Sequence, residues 1–322
     1  MSFRSDPASI QGSIAPLVTP FTTDGAVDHA SLRRMVRWQL ASGSHGVSIG
    51  GSTGEPSSQS ISERAEAIRT VADEVAGRVP FLPGTGSAKL DETLELTTIA
   101  RDAGADLALV ITPYYARPTQ EALYQWYATV CREVPDLPIA CYNLPSRTAV
   151  EIDPATVGRL YRELDNFVGI KETTKDFEHF SRVKYAARDI LMWSGIELLC
   201  LPVLSLGGSG FISALANIAP KAVADLYTTA RAGDLETAMD LHYRMTPLVD
   251  ALFVETNPAP AKWVMARAAL IDSDYVRSPL IPLTDQGKTR VQSLLDQAPD
   301  LLTPVDRAAL DATTAGALAG AG

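Results

Sequence analysis

Little in this chain invites metal or redox chemistry. Its three cysteines, Cys131, Cys141 and Cys200, are too few and too scattered for a disulfide framework or a CxxC metal pair. The four histidines, His29, His45, His179 and His242, lie far apart and form no HExxH-like spacing. Packing or surface roles are expected for them, and no metal or other cofactor is called for. Positive charge is also short: 28 basic against 38 acidic residues give a formal net charge of -10. That argues against nucleic acid or an anionic membrane surface as a partner. No apolar run is long enough to span a bilayer, and residues 1–11 contain no hydrophobic signal core, so a cytoplasmic protein is expected. The GxGxxG of a dinucleotide-binding open sheet is missing too. Gly84-Thr85-Gly86 lacks the third glycine and follows the third strand-like run, not the first.

What is present is a regular alternation. The 322 residues, 46% hydrophobic and 20% charged, suffice for one α/β barrel with an extension or for two smaller domains. Short apolar runs at 13–18, 47–49, 79–82, 107–111, 138–142, 167–171, 190–193 and 210–213 read as buried strands. Between them lie stretches with helical spacing, such as Leu32, Met35, Val36 and Leu40 behind a cap at Asp28 or Ser31. Ser62 and Asp91 are the expected openings of the next two helices. The strand ends recur at roughly 20–35 residues, the size of a βα unit in a (β/α)8 barrel. The expected fold is therefore α/β, a (β/α)8 TIM barrel over 12–230. A helical extension follows over 231–300, with helices at 234–253, 261–270 and from Thr284 to about 295. The Ala- and Gly-rich end, 301–322, reads as a disordered tail with at most a weak helix near 305–310.

In such barrels chemistry gathers at the C-terminal ends of the strands. The run Phe167-Val168-Gly169-Ile170-Lys171-Glu172 places a lysine at one such end. On a regular strand Phe167, Gly169 and Lys171 share one face, and Val168 and Ile170 the other; Gly169 would leave room for the lysine stem. Burial disfavours an ammonium, and an amine that is neutral part of the time can attack a ketone to form a Schiff base. A solvated lysine just past a strand is the plain alternative. Gly51-Ser52-Thr53-Gly54 offers two hydroxyls and glycine-flanked N–H groups that can hold a small carboxylate, or simply a glycine turn. Tyr142 ends another strand and can carry protons, or fill core. Tyr114 and Tyr115 follow a third strand end. Arg147 follows Tyr142 and suits a bidentate grip on a carboxylate, or a surface ion pair.

Four motifs in this order, Gly-Ser-Thr-Gly-Glu, Thr-Pro-Tyr-Tyr, Tyr-Asn-Leu-Pro-Ser-Arg-Thr and Gly-Ile-Lys-Glu-Thr-Thr, resemble the dihydrodipicolinate synthase / N-acetylneuraminate lyase family of lysine-dependent aldolases. The resemblance runs from about Gly12 to Leu295 and includes the segment 252–263. It implies that Lys171 captures pyruvate as a Schiff base and that Tyr142 shuttles protons to that adduct. Ser52 and Thr53, with Gly51, would hold the pyruvate carboxylate, and Thr53 would also relay protons to Tyr142. Tyr115 would stand in that relay, and Tyr114 would cross a tight interface in a homodimer or dimer of dimers. Arg147 would hold the carboxylate of an aldehyde substrate, and the backbone carbonyl of Ile212 would face the lysine. The substrates implied are pyruvate and an aldehyde, best aspartate semialdehyde, giving 4-hydroxy-tetrahydrodipicolinate.

Some positions depart from the family pattern. Ser52 stands where synthases carry threonine, and Pro56 follows Glu55. Ser194-Gly195-Ile196-Glu197 replaces Ser-Gly-Asp-Asp or Ser-Gly-Asp-Glu. Arg64 and Ala88 replace a histidine and an asparagine of lysine-inhibited synthases, while Glu92 is retained. The rival readings are a catabolic aldolase that cleaves a 4-hydroxy-2-oxo acid to pyruvate and an aldehyde, and a non-catalytic oxo-acid sensor on the same barrel. Retention of both lysine and tyrosine speaks against the sensor. A phosphate site at Gly207-Gly208-Ser209-Gly210 would lie before the last strand, at the wrong end of the barrel.

Overall fold

The computed structural model describes residues 3–313. Seven parallel strands form one sheet: β1 (Gly12–Pro16), β2 (Gly46–Ser48), β3 (Ala108–Ile111), β4 (Ile139–Asn143), β5 (Phe167–Glu172), β6 (Leu191–Ser194) and β7 (Gly210–Ile212), in the order β2-β1-β7-β6-β5-β4-β3. The segment 81–84 joins the two edges. Parallel bridges link Val47 to Phe81 and Gly84 to Leu109. Leu82 donates to the Val47 carbonyl, and Leu109 to that of Pro83, each at 2.9 Å. The ring is thus a (β/α)8 barrel in which the expected third strand is a stave of single bridges. Pro80 and Pro83 explain this, because proline has no N–H to give to a ladder.

Alternation along the strands divides the core. Leu109, Ala140, Trp193 and Ile212 fill the barrel interior, while Val110, Cys141, Ile170 and Met192 pack outward under the helices. At the start of β5 the alternation breaks. Phe167 pairs with Ile139, but the next pair is Gly169 with Ala140, leaving Val168 as an extra residue. Phe167 therefore packs outward, edge-to-face on Tyr127 with 5.9 Å between centroids, and Val168 packs against the interior. This corrects the shared face expected for Phe167 and Lys171. The role expected of Gly169 also changes. A Cβ there would stand 2.8 Å from Trp193 Cζ3, so the glycine makes room for the indole. It is Gly195 that admits the lysine stem, since its Cβ would stand 2.6 Å from Lys171 Cε.

Helix ends follow local capping chemistry. Asp28 accepts from Ser31 N–H and opens His29–Ala41. Ile61–Val75 is opened by Ser60, not Ser62, through a capping box with Glu63. Asp91 sits in the first turn of Leu90–Asp102 instead of capping it. The helix expected over 234–253 breaks at Met245 into Leu235–Arg244 and Thr246–Leu252, where Pro247 withholds an N–H. Ala259–Arg267 and the Thr284-capped Asp285–Leu295 complete the extension. The disorder expected from residue 301 is not found through 313. Leu310, on the short helix Arg307–Ala312, is buried. Trp38 Nε1 donates to the Pro304 carbonyl at 2.9 Å, and Arg34 Nε to Asp311 at 2.7 Å. The disordered tail expected over 314–322 falls outside the described residues. No helix among the described residues is long and apolar enough to cross a membrane.

Candidate active site

The strand register assembles the centre of the site. Tyr142 of β4 pairs directly with Lys171 of β5. Both side chains are buried, at 5% and 6% exposure, and Lys171 Nζ lies 4.2 Å from the centroid of the Tyr142 ring. Tyr142 Oη is 3.0 Å from Ser52 Oγ. Ser52 belongs to the single turn Ser52–Gly54 that follows β2. The backbone can come this close because Gly50, at φ 76°, faces Gly84: a Cβ on Gly50 would stand 2.7 Å from the Gly84 carbonyl oxygen. One pocket opens over this centre, lined by Gly51, Ser52, Tyr114, Tyr142, Arg147 and Lys171, with Arg64 at its wall. Lysine, phenol and hydroxyl thus form one line of proton-carrying groups at one barrel mouth.

The remaining expected residues divide between the pocket and its surroundings. Thr53 is buried, and its Oγ1 accepts from Asn257 Nδ2 at 3.1 Å. The hydroxyl bonded to Tyr142 is that of Ser52. The two tyrosines after β3 exchange places. Tyr114 lines the pocket, while Tyr115 is 95% exposed with φ 72°, a conformation unusual for a bulky residue. In a single chain, Tyr115 therefore takes no part in the relay. Ile212 ends β7 and is buried in the barrel interior. Arg147, on the one-turn helix Pro145–Thr148, is exposed at the pocket rim. Its Nη2 donates to the Asn257 carbonyl at 3.3 Å, and no carboxylate pairs with it among the described residues.

A polar network that sequence reasoning missed backs the centre. Asn143 and Glu172 directly follow Tyr142 and Lys171 and face the other way. Asn143 Nδ2 donates to both oxygens of the Glu172 carboxylate, at 3.1 and 3.0 Å. The same carboxylate accepts from Thr174 N–H at 2.8 Å. His179 places Nε2 3.3 Å from Glu172 and Nδ1 2.8 Å from Glu151. Burial pulls the His179 pKa down, but the two carboxylates outweigh it and leave it above the usual value. Glu197 accepts from Ala214 N–H at 2.9 Å; burial raises its pKa against that donor and the charge of Lys171. Arg64 is buried, with Nη2 donating to the carbonyls of Gly84 and Gly86 at 3.1 and 3.0 Å. Burial lowers its pKa to about 10. Adjacency to strand ends could have flagged Asn143 and Glu172. Nothing local points to Asn257.

Comparison with known proteins agrees with this geometry. The sequence model of the Dihydrodipicolinate synthetase family matches residues 9–298. The chain is 48% identical over 288 residues to the 4-hydroxy-tetrahydrodipicolinate synthase of Thermus thermophilus, covering 89% of this chain and 96% of that one. Among solved structures it resembles the chloride-inhibited dihydrodipicolinate synthase of Acinetobacter baumannii complexed with pyruvate: TM-score 0.86, 39% identity, 90% of this chain and 99% of that one. The dihydrodipicolinate synthase of Aquifex aeolicus gives a TM-score of 0.87 at 35% identity, over 91% of this chain and 99% of that one.

Proposed function

Because the chain belongs to the dihydrodipicolinate synthetase family, we propose that it is a Schiff-base lyase that condenses pyruvate with aspartate semialdehyde to give 4-hydroxy-tetrahydrodipicolinate. The observation that carries this reading is the line Lys171–Tyr142–Ser52 at the mouth of the barrel. The Lys171 amine attacks the ketone carbon of pyruvate. Tyr142 gives a proton to the departing hydroxyl, and water leaves as the imine forms. Loss of a methyl proton then yields the enamine, whose carbon attacks the aldehyde. Ser52 passes protons between Tyr142 and the pocket. The Ser52–Gly54 turn holds the pyruvate carboxylate, with Gly51 beside it. Arg147, paired with no carboxylate among the described residues, is available to the carboxylate of the aldehyde.

The nearly naked Tyr115 supports a second copy of this chain as a partner. A large side chain held outward in a disfavoured backbone conformation suits a residue that another subunit covers, so the crossing role passes from Tyr114 to Tyr115. Three buried free thiols suit a reducing, cytoplasmic setting. The test is reductive trapping. Borohydride with pyruvate should add one reduced pyruvyl unit to the peptide containing Lys171. Full labelling of Lys171→Ala would remove the assignment.

A further inference from the structure

The helical extension reaches the Ser52–Gly54 turn at two points. Asn257, 6% exposed, donates from Nδ2 to Thr53 Oγ1 at 3.1 Å, while its carbonyl accepts from Arg147 Nη2 at 3.3 Å. One residue of the extension therefore touches both elements assigned to substrate carboxylates. Five residues on, Lys262 is fully buried and donates to Glu55 Oε1 at 2.5 Å and to the Tyr275 carbonyl at 2.9 Å. Arg277 N–H donates to the other Glu55 oxygen at 3.0 Å. The Phe21 ring closes the site, with its centroid 4.1 Å from Lys262 Nζ.

Glu55 is the residue that ends the turn, and its backbone is left-handed at φ 55°, ψ 43°. That conformation is disfavoured for any residue but glycine, so surrounding contacts must hold it. A buried ion pair is a weak source of net stability, because desolvation offsets the attraction. What this one does specify is geometry. It fixes the end of a turn whose first residue, Ser52, is bonded to Tyr142.

We propose that Lys262 and Asn257 are positioning residues. From the extension they hold the Ser52–Gly54 turn, and with it the carboxylate of the oxo-acid substrate, at the reach of Lys171. This rests on the reading that the turn binds that carboxylate. Neither residue touches the reacting atoms, so their loss falls on capture of pyruvate more than on the covalent step itself.

The full chain is titrated with pyruvate under borohydride, recording the half-saturating concentration, the trapping rate at saturation and thermal unfolding. Two variants serve. Asn257→Ala removes the bond to Thr53 and keeps the carbonyl that Arg147 uses. Lys262→Met combined with Glu55→Gln removes both charges together, avoiding the unpaired buried carboxylate that Lys262→Met alone would leave. Half-saturation should rise about tenfold in each, the value of one lost hydrogen bond of about 1.4 kcal/mol, with the saturated rate within about threefold of wild type. A merely structural role would lower the unfolding temperature without moving half-saturation. A rise below about threefold in Asn257→Ala overturns the proposal, whether or not the double variant folds. A wild-type protein that pyruvate never labels overturns the Schiff-base reading itself, and this one with it.

Discussion

Tyr142→Phe separates two contributions of one side chain. The ring that lies 4.2 Å from Lys171 Nζ is kept, and only the hydroxyl 3.0 Å from Ser52 Oγ is removed. On stability, the loss is one neutral hydrogen bond, about 0.5–1.5 kcal/mol net. Half-buried Ser52 can rebond to water, which favours the low end and a change of a few degrees at most. On turnover, the loss is a positioned acid–base group, about 10²–10⁴-fold, or roughly 2.7–5.4 kcal/mol at about 1.36 kcal/mol per decade. The catalytic loss should therefore exceed the stability loss by more than about 1 kcal/mol. It should fall on kcat, since the Ser52–Gly54 turn, proposed to grip the carboxylate, remains. The assay is steady-state turnover of pyruvate with aspartate semialdehyde, beside thermal unfolding of the same preparation. A kcat within about threefold of wild type would show that the proton travels by another route and would refute the relay.

Arg147→Ala should lower kcat/KM for aspartate semialdehyde by roughly 10–150-fold, the value of a hydrogen bond to a charged group, while pyruvate trapping at Lys171 stays near wild type. Loss of neither would point to a neutral aldehyde and against the synthase reading. Light scattering should find wild type as a dimer or larger, and Tyr115→Ala should shift it toward monomer with reduced turnover; a fully active wild-type monomer would end the cross-subunit assignment. Glu63 is held at a pKa of about 2, chiefly by hydrogen bonds from Arg277. Its folded value lies below its unfolded one, so its contribution is present above about pH 4.5 and is lost as pH falls toward 2. Glu63→Gln should therefore unfold a few degrees below wild type at pH 6, and the gap should shrink below about pH 4.5 and close only as the pH falls through about 2. Partial exposure and solvent screening keep the effect near about 1 kcal/mol.

Strand ends and their polar residues were legible because they are local. Apolar runs ending in Tyr142 and Lys171 carry their own periodicity, and a parallel barrel turns two such ends into neighbours. The same locality explains the failures. Alternation placed Phe167 and Lys171 on one face, and a single extra residue at Val168 undid it. Adjacent tyrosines after β3 look alike in sequence, and only the backbone turn at Tyr115 sends one into the pocket and the other to solvent. Proline in 80–83 was readable as a letter, but its effect depended on which strands flanked it.

By itself, then, the sequence determined the alternation of strands and helices, the lysine at a strand end and the chemistry its neighbours could support, since these depend on residues a few positions apart. Tertiary structure alone decided which hydroxyl meets Tyr142, which glycine clears the lysine stem, and that the extension grips the Ser52–Gly54 turn. Those contacts join residues 90, 204 and 207 positions apart or hang on a one-residue shift in pairing. No propensity or period reaches that far; closure of the barrel and the docking of the last helices set those distances.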